Sequence, residues 1–382
     1  MKKIIRITTV PGSLGTLLKG QLRFMSNHYE IVGVSGEGKV LEDVSNNEGI
    51  RTIPVNMTRT ITPLKDLKAL FQLYKIFKKE KPFIVHTHTP KAGTLGMIAS
   101  KLARVPNRLH TIAGLPLLEA EGKKRNLLNT VEKLTYSCST MILPNSYGLK
   151  DIILSEKFCK EDKLKVIGKG SSNGIDVDHY DTSKVSQQEM QILKSELNIL
   201  PSDMVFIFVG RIVKDKGINE LVQAFVSINE KYPKAKLIVV GPSERELDPI
   251  DNVTEELLEN HKAIHAVGFI KDIRPYVAIS DVLVFPSYRE GFPNVVLQAN
   301  CMGKPCIVSN INGCNEIITD NVNGIIIPPK DIEALKVAML DVIEKPENLK
   351  IMADNSRQNI INKYKREYIW EEMLNLYKHL EK

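Results

Sequence analysis

The chain of 382 residues has few cysteines: Cys138, Cys159, Cys301, Cys306 and Cys314. The number is odd and no pair has zinc-ligand spacing, which excludes a disulfide framework and argues against a structural metal; a reducing cytoplasm fits. No apolar run approaches the roughly 18 residues of a membrane span. The start, MKKIIRITTV, lacks a long apolar core because Arg6 interrupts it. It is therefore expected to be a first strand and not a signal peptide. Charge of one sign is also scarce. With 52 basic and 45 acidic residues the formal charge is +7, too little to imply nucleic acid and enough for weak attraction to anionic substrates or lipid headgroups. The composition, 43% hydrophobic and 25% charged, is that of a globular chain and excludes disorder, collagen and coiled-coil arrays. At roughly 150 residues per domain, the length suggests two or three domains.

Short β-branched runs recur at 3–9, 31–35, 83–87, 108–112, 140–143 and 164–167. A second series follows at 204–209, 236–240, 264–267, 281–285, 305–309 and 324–327. Segments of helical period lie between most of them, at 14–25, 64–79, 126–136, 219–232 and 332–343. This alternation predicts α/β domains with parallel sheets covered on both faces. It stumbles once, over the turn-rich 168–186, which places the domain boundary near Ile175. Two such domains are expected to bind ligands in a cleft at the carboxyl ends of their strands. A long amphipathic helix closes the chain at 366–380.

The most informative stretch is SYREGFPNVVLQA (287–299), between an apolar strand and a helix. Glu290 sits on the turn and Gly291 lets a ligand approach the backbone. Pro293 is expected in the first helical turn, with the amides of Phe292, Asn294 and Val295 at the helix N-terminus, where electronegative oxygens bind. Gln298, two turns on, is expected on the same pocket edge as Glu290. VGRIVKDKG (209–217) puts Arg211 and Lys216 at the end of another strand, a planar fork and a mobile point charge suited to phosphate. PGSLGTLLKG (11–20) reads as a glycine loop, with Gly12 and Gly15 ahead of a helix; it is not the dinucleotide fingerprint. In VHTHTPKAG (85–93), period two puts His86 and His88 on one side of a strand. His88 is expected to hydrogen-bond at the cleft and His86 to be packed and satisfied; no third metal ligand is evident.

Two matches are refused. GSSNG (170–174) has the spacing of a nucleophile elbow, but no helix follows it. Asp176 and Asp178 form a D-x-D in the hinge, where turn chemistry explains them better than a metal. The segment 64–81 lines up Leu64, Leu67, Phe71, Tyr74 and Phe77 on one stripe and Lys65, Lys68, Lys75 and Lys79 on another. It reads as a core helix with a solvated basic face; docking on anionic lipid is the alternative.

Taken together these motifs, with ILPNSYGLKD (142–151), SSNGIDVDHY (171–180) and VGFIKDI (267–273), resemble glycosyltransferase family 4 over nearly the whole chain. The resemblance is especially to members that build bacterial surface polysaccharide or oligosaccharide on a lipid carrier. It implies the GT-B fold, two Rossmann-like domains facing across a cleft: 1–175 on the acceptor side, with 366–382 packing back on it, and 176–365 on the donor side. It implies a retaining transfer from a nucleotide-diphosphate sugar, a uridine diphosphate donor before guanosine diphosphate-mannose, to a glycan or lipid-linked hydroxyl. No cofactor or metal is implied, and a cytoplasmic location with peripheral contact on the membrane face is expected. Arg211 and Lys216 would hold the diphosphate. Glu290 would meet the sugar hydroxyls with the amides of Gly291, Phe292, Pro293 and Asn294 beside it (Pro293 itself lacks an N–H). Ile270 would meet the base, Gly15 would let the first loop approach phosphates and acceptor, and His88 would touch the sugar from the other domain. The family pattern places a second Glu where this chain has Gln298, which still offers a carbonyl to ribose but no charge. An epimerase of the same fold or a non-catalytic nucleotide-sugar binder are the rival readings.

Overall fold

The computed structural model describes residues 1–58, 60, 62–246 and 248–382. The chain divides into a first unit, 1–174 with 366–382, and a second, 175–365. The first holds β1 (Lys3–Ile7), β2 (Glu30–Ser35), β3 (Arg51–Pro54), β4 (Ile84–Thr87), β5 (Asn107–Ile112) and β6 (Met141–Pro144) in the order β3-β2-β1-β4-β5-β6. The second holds β7 (Met204–Val209), β8 (Ala235–Val240), β9 (Ile264–Gly268), β10 (Val282–Phe285), β11 (Cys306–Ser309) and β12 (Gly324–Ile327) in the order β12-β11-β10-β7-β8-β9. Every pairing is parallel, with helices between the strands. In each sheet the order reverses beside the first strand, between β1 and β4 and between β7 and β10. Such switch points are where open α/β sheets take ligands.

The strand cores follow from period two. In β1, Ile5 and Ile7 join Val32, Val34 and Val85 under the helix Pro63–Glu80, while Ile4 turns to Leu14, Leu22 and the C-terminal helix Arg366–His379. Ile369, Met373, Leu376 and Tyr377 of that helix are buried, so the last residues complete the first unit's core. In the second unit, Phe206, Ile207 and Phe208 of β7 are fully buried, as are Leu237, Ile238 and Val239 of β8. Burial of each such side chain stabilises by about 1.5–3 kcal/mol.

Four expectations change. The run 164–167 makes a single bridge, Leu164 to Ile142, and no strand, because it comes off the 3-10 turn Glu161–Lys163 and enters the turn at Gly168. β3 lies where no strand was predicted; RTIP is short, half-exposed and ends in Pro54, as an edge strand does. The helix predicted over 14–25 is two helices, Pro11–Leu17 and Gln21–Ser26, broken at Gly20 with φ 78°. A Cβ there would stand 2.7 Å from the Trp370 ring. Finally, the helix Pro63–Glu80 turns Ala69, Leu73 and Phe77 inward, and leaves Leu64, Leu67 and Phe71 85%, 63% and 55% exposed. Of the expected apolar stripe, Phe77 and the half-buried Tyr74 meet the core, while Leu64, Leu67 and Phe71 do not.

Candidate functional site

Two loops meet at the β7/β10 switch point. The loop after β7 turns through Lys214–Lys216 into the helix Ile218–Lys231 at Gly217, φ 70°. A Cβ on Gly217 would lie 2.1 Å from the Pro286 carbonyl oxygen, so only glycine lets the loops touch. The contact is then laced. The Asp215 carbonyl accepts from Tyr288 N at 2.9 Å, the Asp215 carboxylate accepts from Arg289 at 2.7 Å, and Lys216 Nζ meets Glu290 Oε1 at 2.5 Å. Ser287 Oγ donates to the same Glu290 oxygen at 2.9 Å, and Asn312 Nδ2 donates to the Glu290 carbonyl. Lys216 and Glu290 are both mostly buried.

Arg211 joins them from the start of the loop. Its Nη1 donates to Glu244 Oε2 at 2.7 Å. Partial burial pulls its pKa down, but the Glu244 bond and the charges of Asp215, Glu244 and Glu290 more than offset this and raise it. Arg211, Lys216 and Glu290 thus share one switch point. Glu244, in the loop after β8, was not singled out in the sequence; a carboxylate 33 residues on gives no pattern to find.

The rest of the 287–299 stretch differs in detail. Pro293 is the N-cap, at φ −74° and ψ 111°, and the helix is Asn294–Cys301. Gly291, Phe292 and Pro293 are buried, Phe292 with its ring 5.3 Å from Tyr364, and Asn294 is exposed. Gln298 is bonded to Tyr180, Nε2 to the hydroxyl at 2.7 Å, not to Glu290. Ile270 follows β9 and packs against the second unit's core.

In the first unit the expected glycine loop is already helix. Val10 is the N-cap, so Gly15 lies inside Pro11–Leu17 against the helix Lys39–Glu48, where a Cβ would meet Val44 at 2.9 Å. Gly12, with open space around it, takes the helix N-terminus instead. Gly15 also borders an open cavity of about 690 Å³ with Lys19, Arg23 and Trp370. His86 is packed and satisfied, as expected: Nδ1 pairs with the Tyr377 hydroxyl and Nε2 with Thr111 Oγ1, both at 2.7 Å. His88 is buried and accepts at Nε2 from Arg6 Nε at 2.9 Å. Arg6, read only as an interruption of an apolar run, is the missed residue, and a charge inside a doubly covered strand was its signal. The family-like motifs at 142–151 and 171–180 are partly structural: Ser146 caps the helix Tyr147–Ser155, Asn173 accepts from Trp370 Nε1 at 2.7 Å, and Asp176 accepts from His179 N at 3.1 Å in a turn. Among the described residues no three His, Cys, Asp or Glu side chains group as metal ligands.

With this geometry in hand, the chain can be set beside known proteins. The family description Glycosyl transferases group 1 matches residues 189–359, and Glycosyl transferase 4-like matches 15–146. The capsular polysaccharide biosynthesis glycosyltransferase CapM of Staphylococcus aureus is 34% identical over 98% of this chain and 97% of its own. The chain is a family 4-like glycosyltransferase. The UDP-Gal:alpha-D-GlcNAc-diphosphoundecaprenol alpha-1,3-galactosyltransferase of Escherichia coli is 32% identical over 80% of this chain and 78% of its own. In structure this glycosyltransferase resembles HepE of Anabaena in complex with UDP-glucose, with a TM-score of 0.81 at 18% identity, covering 99% of this chain and 100% of that one. That likeness shows the fold, which is GT-B. No helix among the described residues is long and apolar enough to cross a membrane.

Proposed function

We propose that this glycosyltransferase moves a sugar from a uridine diphosphate donor to a hydroxyl of a lipid-diphosphate-linked saccharide or glycan, with retention and without a metal. The observation that carries the reading is the meeting of Arg211, Lys216 and Glu290 at the β7/β10 switch point. In the structure each cation is held by a carboxylate, and for the mostly buried Lys216 this avoids an uncompensated charge. An arriving diphosphate replaces those carboxylates on Lys216 and Arg211. Glu290 is then free to accept from sugar hydroxyls. As the anomeric C–O bond breaks, charge grows on the departing diphosphate, and fixed cations stabilise it most in the transition state. The acceptor hydroxyl attacks from the face the diphosphate leaves and gives its proton to a diphosphate oxygen. The E. coli relative's name, with its lipid-diphosphate acceptor, supports the acceptor class.

The test is direct. Purified protein is incubated with a panel of nucleotide sugars and a lipid-diphosphate saccharide, with and without a chelator, and the product's anomeric configuration is read by NMR. Transfer from a uridine diphosphate sugar with retained configuration in chelator is expected. Binding without turnover, epimerised donor, inverted product or loss of activity in chelator each overturns a named part of the proposal. Peripheral membrane contact belongs to the same reading. Leu64, Leu67 and Phe71 are exposed beside Lys65, Lys68 and Lys75, so binding to anionic vesicles at low salt and release at high salt are expected. No binding at low salt removes that part.

A further inference from the structure

Arg6 stands in β1 and its side chain is wholly buried. No carboxylate among the described residues pairs with it. Nη2 donates to Gln21 Oε1 at 2.6 Å, Nε donates to His88 Nε2 at 2.9 Å, and Nη1 has no partner among the described residues. A guanidinium stays charged in proteins and accepts no hydrogen bond. The Arg6–His88 bond therefore has one polarity. His88 Nε2 holds a lone pair, so the ring proton of the neutral imidazole sits on Nδ1. That Nδ1 is buried and no described residue accepts from it.

The surroundings close the alternatives. Facing His88 are Arg6 from β1, His86 from β4, the strand just before it, and His110 from β5; Tyr377 of the C-terminal helix reaches the cluster through His86. None of these is an acid. The His86 ring lies 4.1 Å from that of His88 with both of its nitrogens already bonded, and His110 Nδ1 is tied to Thr87 at 2.8 Å. A protonated His88 would have to donate to Arg6, which can only donate. Burial first, then His86 and Arg6, hold its pKa well below the ordinary value.

We infer that Arg6 is a positioning residue: it locks His88 as a neutral Nδ1–H donor at the β1/β4 switch point, so that His88 gives a hydrogen bond to a substrate oxygen and never serves as the base. The inference rests on the reading above that His88 touches substrate during glycosyl transfer. It also fits the path of the proton, since a ring with Nε2 occupied and Nδ1 protonated has no lone pair for the acceptor's proton. That proton goes to the departing diphosphate.

The deciding measurement is the imidazole tautomer in the full-length protein labelled with nitrogen-15 at histidine, with His88→Gln identifying the His88 signals. Between about pH 5.5 and 8.5, where an ordinary histidine titrates, His88 is expected to stay protonated at Nδ1 and bare at Nε2. An Nε2-protonated ring, or a His88 signal that titrates in this range, overturns the inference. This arm needs no substrate, so it stands even if the transfer reading fails. In the activity arm, Arg6→Met is expected to release the single tautomer and lower turnover about tenfold, the size of one lost hydrogen bond. It is expected to cost nothing further in a His88→Ala background, because Arg6 acts through His88. Losses that simply multiply overturn the inference. Arg6→Lys keeps a cationic donor and is expected to restore most of the turnover and the Nδ1–H signal; if Arg6→Met fails to fold, Arg6→Lys and the parent spectrum decide.

Discussion

At the β7/β10 switch point three cations each have an acid of their own: Lys216 meets Glu290, Arg211 meets Glu244 and Arg289 meets Asp215. At the equivalent β1/β4 point the cation is Arg6, it is fully buried, and among the described residues it meets an amide and an imidazole but no acid. Both sheets have the same topology, so the difference lies in what each loop and strand was given to hold. A cation paired with an acid can exchange its carboxylate for a ligand's phosphate and stay compensated throughout. A buried guanidinium without an acid cannot exchange; it can only orient what it touches. On the proposed function, the second unit's cations exchange partners and the first unit's cation stays fixed.

The comparison breaks first at Lys216 and Glu290. Lys216→Ala and Glu290→Gln are each expected to lose about 100-fold in turnover, roughly 3 kcal/mol of transition-state stabilisation, while the protein stays folded. Because Lys216 would grip the diphosphate while Glu290 meets the sugar hydroxyls, the double variant is expected to lose close to the product of the two, as steady-state rates will show. Near-normal turnover in Lys216→Ala removes the phosphate role.

Acid separates the units next. Burial lowers His110 to about 4, and His86 and His88 move in the same direction. The folded first unit therefore keeps these rings neutral while the unfolded chain protonates below about pH 6.5. Their contribution is full above pH 6.5 and falls as pH drops toward 4, by about 3 kcal/mol for His110 alone. In the second unit His265 is lowered too, but it is only half-buried. The one tryptophan of the chain, Trp370, reports the first unit. Its fluorescence is expected to show unfolding at milder acid than hydrogen exchange shows for β7, β8 and β10. Equal acid sensitivity in both units contradicts the comparison.

The smallest effect is expected at Gln298. Gln298→Glu can accept from the Tyr180 hydroxyl and adds a charge-assisted bond toward a ribose hydroxyl. Donor KM is expected to fall about threefold, the difference between a neutral and a charged hydrogen bond. An unchanged KM places Gln298 outside the ribose contact.

Much of the fold was legible. The second unit's six strands stand where the apolar runs predicted them, because strands covered on both faces must be apolar throughout. β3 was hidden because an edge strand needs no such run. The inward arc of the helix Pro63–Glu80 was misjudged, since spacing marks an apolar stripe without saying which stripe meets the sheet. Arg211, Lys216 and Glu290 could be singled out because each follows a strand at its carboxyl end. Their acids, and the Arg6–His88 and Gln298–Tyr180 bonds, join residues dozens to over a hundred positions apart. Only the register of β1 beside β4, and the return of distant loops, brings them together.

One consequence follows from the helix Arg366–His379. The first unit's sheet lies within the first 144 residues yet waits for Ile369, Met373 and Tyr377 to cover one of its faces. On a ribosome, the second unit has its whole sequence before the first does. The early half must therefore linger with that face uncovered until this helix has been made, and a chain cut short before it would leave the face open.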